Sequence, residues 1–183
     1  MWNIKLIGAL LIASLITLSL SGCARSNKTN VENKTNSEVK AMNQGSRAAD
    51  FELKDLQGVN HKLSDYAGKK VYIKYWASWC SICLAGLDEM NTLAGADKDF
   101  EVINIVSPGF RGEKNSEDFK KWFSGLEYKN LTVLLDEGGT IANKYEVRGY
   151  PTSVVIGSDG TLVKKIVGHY NNEKIKSEFK DVK

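Results

Sequence analysis

The apolar residues of segment 48–183 repeat with two different periods, which change from one stretch of the chain to the next. Three short runs, at 71–77, 101–106 and 131–135, consist mainly of β-branched, leucine and aromatic residues, as is typical of buried strands. Strands that are joined by helical crossovers become parallel neighbours, so these runs predict the centre of one sheet.

Two further segments alternate between apolar and polar residues on either side of a turn signal. Residues 51–63 alternate around Gln57-Gly58, and residues 152–168 alternate around Asp159-Gly160. Alternation on both sides of a short turn predicts a β-hairpin in each segment. The second hairpin comes after all three predicted central strands.

Apolar residues at helical spacing lie between the predicted strands. They predict a helix over 80–94 and a second helix over 116–126 with Ser116 as its cap. Two shorter helices are predicted over 140–147 and 171–183. Strands that alternate with helices and end in a hairpin predict an α/β fold, in which helices flank a central mixed β-sheet.

The N-terminal residues follow neither period. Lys5 precedes an apolar stretch over 6–20, which is a secretory signal pattern and is short for a membrane-spanning helix. The stretch leads into Ser21-Gly22-Cys23 after a leucine, which resembles the lipobox of bacterial lipoproteins. The resemblance implies that residues 1–22 are a signal peptide and that Cys23 carries a diacylglycerol. The alternative is a plain signal peptide or an uncleaved anchor.

Residues 23–47 are rich in Asn, Lys, Ser and Thr and show no apolar periodicity. Such a segment buries too little apolar surface to offset the entropy of ordering, so we expect a flexible tether followed by a folded domain over 48–183. The predicted location is extracytoplasmic, with the lipid holding the protein to the outer face of the bacterial cytoplasmic membrane. Disulfides persist on that side of the membrane.

Composition and charge change this picture little. The chain is 42% hydrophobic and 26% charged, which is ordinary for a globular protein. Its net charge of +3, without a dense Lys/Arg block, gives no argument for nucleic-acid binding. Of its three cysteines, lipidation would use Cys23, which leaves the pair Cys80 and Cys83.

Cys80 and Cys83 lie between a predicted strand and a predicted helix, in the segment KYWASWCSIC. A cysteine in the first turn of a helix meets free N–H groups and the positive end of the helix dipole, and both favour the thiolate. Residues three apart share a helix face, so we expect Cys80 to be exposed and Cys83 to be sheltered. One alternative is a zinc site, although the chain has no second CxxC and only His61 and His169 as histidines. The other is two unbonded core cysteines.

The segment KYWASWCSIC resembles the active-site segment of the thioredoxin superfamily, and RGYPTS further along resembles its cis-proline loop. The first hairpin and an insertion at 107–130 resemble the extracytoplasmic TlpA/redoxin-like branch. The resemblance implies a thioredoxin fold over 48–183 with an N-terminal β-hairpin and a helical insertion. It also implies a thiol–disulfide oxidoreductase that needs no bound cofactor or metal, because the dithiol carries both electrons.

The resemblance assigns a role to five residues. Cys80 is the nucleophile and Cys83 is the resolving thiol. Pro151 is the cis-proline, whose loop offers backbone groups to an incoming peptide; an ordinary turn proline is the alternative. Trp79 and Tyr150 contact the partner, and packing alone is the alternative for each.

Two positions depart from the family pattern. Lys74 stands where many thioredoxins carry a buried acid. Its ammonium either favours the thiolate or reaches solvent over a packed stem. Gly86 stands where some TlpA-like reductases have a glutamate. The sequence therefore identifies no proton acceptor for Cys83, although Asp88 and Glu89 are near along the chain.

Residues 107–160 narrow the resemblance. They are similar to the thioredoxin-like domain fused to some secreted methionine sulfoxide reductases, and to surface lipoprotein thioredoxins of Gram-positive bacteria. This implies a reductant that regenerates an extracytoplasmic methionine sulfoxide reductase with electrons from a CcdA/DsbD-type membrane thiol carrier. The alternatives are a reductase for cytochrome c maturation, a disulfide-forming oxidase, and a surface-binding lipoprotein with a structural disulfide. A monomer is expected, because both partners must reach one cysteine.

Overall fold

The structure is a computed structural model, and it describes residues 42–183. The predicted signal peptide, Cys23 and the first part of the predicted tether lie outside the described residues. Within residues 42–183, no helix has the length and apolar character that crossing a membrane requires.

One eight-stranded sheet forms the centre of the domain, with the strand order β1-β8-β7-β4-β5-β6-β2-β3. Strands β4, β5 and β6 are parallel neighbours, and all other neighbours are antiparallel. The predicted mixed sheet is therefore confirmed. The strands are β1 Ser46–Arg47, β2 Glu52–Asp55, β3 Asn60–Lys62, β4 Lys70–Tyr75, β5 Phe100–Val106, β6 Thr132–Leu135, β7 Thr152–Ile156 and β8 Thr161–Val167.

Five α-helices flank this sheet in the part of the chain that the structure describes. Two short 3₁₀ segments, Leu63–Tyr66 and Glu137–Gly139, complete the regular structure there. The α-helices are α1 Ser81–Ala85, α2 Leu87–Gly95, α3 Ser116–Ser124, α4 Thr140–Lys144 and α5 Asn172–Glu178.

The two faces of strand β4 bury different clusters, because successive side chains of a strand point to opposite faces. Ile73 and Tyr75 pack on one face, in the cluster that also contains residues of α4. Tyr72 and Trp76 pack on the other face, against residues of α1, α2, α3 and α5. Lys74 lies between Tyr72 and Trp76 in sequence and therefore points into that second face.

Two helix boundaries differ from the prediction. The helix expected over 80–94 is two helices, α1 and α2, which meet at Gly86, where φ and ψ of −98° and 6° leave the helical range. Glycine is a weak helix former, which makes a break there inexpensive. Helix α3 is capped by Asn115 rather than Ser116, because the Asn115 side chain accepts a hydrogen bond from the Asp118 N–H at 2.9 Å.

The N-terminal end of the described chain is tied to the C-terminus. The backbone N–H groups of Met42 and Asn43 donate to the Asp159 carboxylate at 2.7 and 2.9 Å. The Asn43 side chain donates to the Lys183 carbonyl at 2.9 Å, and strand β1 pairs with β8. Backbone hydrogen bonds therefore extend the sheet to Ser46–Arg47, which lie in a segment without an apolar pattern.

The start of the described chain and the CxxC lie at opposite ends of the central strands. Strand β7 is antiparallel to β4, with Tyr75 opposite Thr152 and Val71 opposite Ile156. Cys80 follows the Tyr75 end of β4, whereas the β7–β8 turn, which binds the N-terminal residues, follows Ile156.

Candidate active site

Cys80 occupies the N-cap of helix α1, after strand β4 and a short loop. Its sulfur accepts a hydrogen bond from the Cys83 backbone N–H at 3.3 Å. Cys80 and Cys83 form a disulfide, with their Cα atoms 5.2 Å apart. The structure therefore places the pair at a helix N-terminus, as predicted, and shows its oxidised form.

The two cysteines differ in whether a partner can reach them. Cys80 is 5% exposed and Cys83 is fully buried, so only Cys80 can be reached by a partner's sulfur. The prediction that Cys80 is exposed is wrong for this oxidised form. Both cysteines pack in one apolar cluster with Trp76, Leu87 and Phe119, which covers most of the disulfide.

An apolar rim surrounds this small opening. Trp79 is 53% exposed and packs edge-on against the Tyr150 ring, with the centroids 5.8 Å apart. The Tyr150–Pro151 peptide bond is cis, as the sequence predicts. Ile82, between the two cysteines, is 52% exposed and adds to the rim. Sequence reasoning missed Ile82, although its place opposite the buried Cys83 face of α1 was available as a signal.

A buried carboxylate holds the loop that leads to Cys80. Glu113 accepts hydrogen bonds from the Ser78 N–H at 2.5 Å and the Ser78 hydroxyl at 2.6 Å. It also accepts one from the Lys114 N–H at 2.7 Å, and the Lys114 ammonium donates to the Ser78 hydroxyl at 2.8 Å. Sequence reasoning missed Glu113, because the local sequence of a glycine-rich loop does not indicate whether its single glutamate is buried or exposed.

Lys74 is buried on the helix-covered face of the sheet described above. It is 1% exposed, and its Nζ has no hydrogen-bond partner among the described residues. Burial lowers the pKa of Lys74 to about 8, and the negative charge of Glu89 only partly opposes this. The alternative in which the Lys74 amine reaches solvent is therefore wrong.

Replacing Lys74 with methionine is expected to stabilise the oxidised domain by about 3 kcal/mol at pH 7, since a pKa unit corresponds to about 1.4 kcal/mol and the pKa falls from 10.5 to about 8. Below pH 8 the folded wild type carries a buried ammonium, which is unfavourable. Between pH 8 and 10.5 only the unfolded chain still binds that proton, so wild-type stability rises with pH and the advantage of methionine disappears.

Urea denaturation of both proteins at pH 7 and pH 10 measures this difference. The matched control is Lys70→Met on the same strand, where the lysine forms an ion pair with the exposed Asp99. The control should change stability by less than about 1 kcal/mol. A destabilised Lys74→Met protein at pH 7 would contradict the expectation.

Among residues 42–183, no three His, Cys, Asp or Glu side chains lie close enough together to hold a metal ion.

Comparison with known proteins gives four informative similarities. A family model described as "AhpC/TSA family" matches residues 44–165. The thiol-disulfide oxidoreductase ResA of Geobacillus thermodenitrificans is 32% identical over 150 residues, which are 80% of this chain and 82% of that protein. The exposed lipoprotein thioredoxin Etrx1 of Streptococcus pneumoniae matches with a TM-score of 0.70 and 48% identity, over 73% of this chain and 100% of that one. The N-terminal domain of PilB from Neisseria gonorrhoeae matches with a TM-score of 0.64 and 34% identity, over 70% of this chain and 87% of that one.

Proposed function

Since this chain belongs to the AhpC/TSA family and is a thiol–disulfide oxidoreductase with a thioredoxin fold, we propose that it works outside the cytoplasm as a reductant. The observation that carries the exchange chemistry is the Cys80–Cys83 disulfide at a helix N-terminus. The relatives belong to the predicted extracytoplasmic redoxin branch, which confirms that resemblance.

The geometry divides the reaction between the two cysteines. In the reduced protein, the Cys83 N–H and the other free N–H groups of the first turn of α1 favour the Cys80 thiolate. This thiolate attacks a sulfur of the client disulfide and forms a mixed disulfide. Cys83 then attacks the Cys80 sulfur, and the client leaves with both of its sulfurs reduced. The Cys80–Cys83 disulfide remains and must be reduced by an electron donor.

The client in this proposal is an extracytoplasmic methionine sulfoxide reductase, and the donor is a CcdA/DsbD-type membrane thiol carrier. The similarity of residues 107–160 to the thioredoxin-like domains of secreted methionine sulfoxide reductases supports the client. Similarity to an exposed lipoprotein thioredoxin supports both the extracytoplasmic location and an anchor through a lipid on Cys23. The apolar rim of Trp79, Ile82 and Tyr150 supplies contact area for the client.

The reduction potential of the Cys80–Cys83 pair tests the direction of electron flow. The expected value is near or below about −220 mV, in the range of thioredoxin and glutaredoxins. Equilibration of the 42–183 domain with glutathione or dithiothreitol buffers measures it, with a Cys83→Ser variant as the control that cannot close the disulfide. A value near about −120 mV, that of DsbA, would instead indicate an oxidase.

Covalent trapping tests the client. A Cys83→Ser variant cannot resolve the mixed disulfide, so it should accumulate a covalent complex with an oxidised methionine sulfoxide reductase. Dithiothreitol should separate the two proteins by reducing the disulfide between them. The complex should be missing when Cys80 is also changed to serine. If the variant traps a cytochrome c apoprotein and not the reductase, the apoprotein is the client. The proposed exchange reaction would be unaffected by that result.

A further inference from the structure

The loop that follows strand β5, residues 107–115, runs beside the apolar rim of the disulfide. Glu113 of this loop binds Ser78, the residue that precedes Trp79. A β-carbon added to Gly112 would lie 3.7 Å from Nε1 of Trp79, so the loop passes alongside the indole ring. A partner that approaches the disulfide over the rim must therefore also meet this loop.

Hydrogen bonds hold the tip of the loop in one conformation. The Glu113 N–H donates to the Phe110 carbonyl at 3.0 Å, which closes a four-residue turn around Arg111 and Gly112. The φ angles of 50° at Arg111 and 81° at Gly112 are positive at both central positions, as in a type I′ turn. A second backbone hydrogen bond, from Gly109 and 3.0 Å long, closes the base of the loop. The loop therefore presents Arg111 at a fixed place.

Arginine is an unusual residue at the first central position of such a turn. Positive φ is unfavourable for residues with a β-carbon, and glycine, asparagine and aspartate dominate the central positions of type I′ turns. An asparagine in place of Arg111 would form this turn at lower cost. Unfavourable backbone conformations of this kind cluster at functional sites, which makes the Arg111 side chain a candidate for a role in partner binding.

The Arg111 guanidinium lies at the surface, close to the rim. Its central carbon is 4.9 Å from the centroid of the Phe110 ring, and that ring packs partly buried against the domain core. Burial raises the pKa of Tyr150, and the positive charge of Arg111 is among the influences that oppose the rise, so this charge lies near Tyr150. The exposed cation thus borders the rim that Trp79 and Tyr150 form.

The charge at the rim has one sign. Three segments of chain carry the rim and its loop, residues 79–82, 108–112 and 148–151. Their only charged residues are Arg111 and Arg148, and both are exposed. Arg148 comes two residues before Tyr150. A partner at the rim therefore meets two positive charges and no negative one from these segments.

Neither arginine is neutralised by a carboxylate of the domain. Within residues 42–183, six lysines form ion pairs, whereas Arg111 and Arg148 form none. The acids near the loop are engaged elsewhere. Glu113 is buried on Ser78, Asp136 accepts from two N–H groups of α4, and Glu137 accepts from the Ser116 hydroxyl. The next acid before Arg148, Glu146, pairs with Lys165 at 2.9 Å.

We propose that the protein selects partner disulfides that are flanked by acidic side chains, and that a partner carboxylate binds Arg111. Arg148 supplies a second positive charge beside the same rim. A guanidinium holds a carboxylate through two parallel N–H bonds, which fixes its position as well as its charge. This inference rests on the dithiol exchange of the proposed function and adds the chemistry of the partner surface.

The charge of the nucleophile explains why such a device is useful. The attacking Cys80 thiolate is negative, so by itself it repels an acidic partner and attracts a basic one. Two arginines at the rim reverse this preference, because opposite charges attract a partner during the encounter and like charges exclude it. The apolar contact of Trp79 and Ile82 does not discriminate by charge. Selection by charge then comes from the arginines alone.

Three versions of one peptide with an internal disulfide test the proposal. The residues beside the two cysteines are aspartate in the first version, asparagine in the second and lysine in the third. Stopped-flow tryptophan fluorescence gives the rate constant for oxidation of the reduced protein by each peptide. The ratio of the aspartate to the asparagine rate reports charge selection, and the asparagine rate is an internal control for folding and for the nucleophile.

The wild type is expected to react with the aspartate peptide at least about tenfold faster than with the lysine peptide at low ionic strength. This preference should nearly vanish at about 1 M salt, where the Debye length is about 3 Å. Arg111→Asn should lower the aspartate-to-asparagine ratio by about threefold or more and leave the asparagine rate unchanged. Its stability towards urea should equal or exceed that of the wild type, because asparagine suits the turn.

Arg47→Asn is the matched control. Arg47 is exposed, forms no ion pair within residues 42–183 and lies on β1, which pairs with β8 beside the β7–β8 turn, away from the Cys80 end of the strands. Its ratio should equal that of the wild type. Arg111→Lys keeps the charge without the fork and should lie between the wild type and Arg111→Asn.

Two results would overturn the proposal. One is an aspartate-to-asparagine ratio in Arg111→Asn equal to that of Arg47→Asn. The other is equal slowing with all three peptides, which would mean that Arg111 only maintains the loop. If the wild type oxidises with none of the peptides, the dithiol exchange itself is wrong, and this inference falls with it. Charge selection without any reaction with a methionine sulfoxide reductase would count against that client alone.

Discussion

Replacing Cys80 with serine is expected to reduce disulfide exchange by more than about a thousandfold, since a serine hydroxyl is neutral at pH 7 and cannot form a disulfide with the client. Cys83 cannot take over as the nucleophile, because it is fully buried behind Cys80 in the apolar cluster around Trp76. The measurement is the reduction of insulin disulfides with dithiothreitol as the electron source.

Two variants in the same turn of the helix serve as controls for Cys80→Ser. Ser81→Ala changes an exposed neighbour and should retain activity within about threefold, as is usual for a surface substitution. Cys83→Ser should still complete the first attack and then stop at the mixed disulfide. Measurable turnover by Cys80→Ser would show that Cys83 becomes accessible in solution. Cys83 would then be the nucleophile, contrary to the proposed assignment.

Replacing Glu113 with alanine is expected to have the second largest effect, a loss of about 3 kcal/mol in the free energy of unfolding. The change leaves the Ser78 N–H and hydroxyl and the Lys114 N–H without their acceptor, and each buried unsatisfied group costs about 1–3 kcal/mol where water cannot replace the partner. Exchange activity should fall by about tenfold as well, because this carboxylate fixes the loop that precedes Cys80.

Urea denaturation of the oxidised protein at pH 7 measures the stability effect, and the insulin assay measures the activity effect. Glu117→Ala is the control, since Glu117 is a largely exposed glutamate in the first turn of α3. Glu113→Gln keeps one acceptor oxygen and should lie between wild type and Glu113→Ala. Equal stability of Glu113→Ala and Glu117→Ala would mean that solvent fills the place of the carboxylate and that the loop is held by other contacts.

The parts of the fold that could be predicted are those fixed by local pattern. The apolar run of strand β4, the CxxC that follows it and the hairpin turn at Asp159-Gly160 each specify their structure within a few residues. The cis bond before Pro151 was predicted through the resemblance of a short segment, again a local signal. Strand β1 carries no such pattern, because it is held by backbone pairing with β8, and it was missed.

The parts of the site that could not be predicted depend on contacts between distant segments. Glu113 meets Ser78 from 35 residues away, and His169 meets Gly86 from the far end of the chain. Nothing in either local sequence distinguishes these side chains from solvated ones. The burial of Cys80 has the same origin, since it belongs to a cluster that brings together Trp76, Leu87 and Phe119 from different parts of the chain.

The position of the N-terminal end has a consequence for how one disulfide can serve two partners. The described chain begins at the β7–β8 turn, and Cys80 lies at the opposite end of the same strands. About six strand residues, or roughly 20 Å, therefore separate that beginning from the disulfide. A domain held to a surface through that end carries its reactive sulfur pointing outward. Delivery of electrons outward then needs no movement, whereas recharging by a donor within the surface requires the domain to turn over through about half a revolution. If the proposed anchor and donor are correct, each cycle would therefore include a rotation of the whole domain, and the rate of that rotation would depend on the length of chain before residue 42 rather than on thiol chemistry.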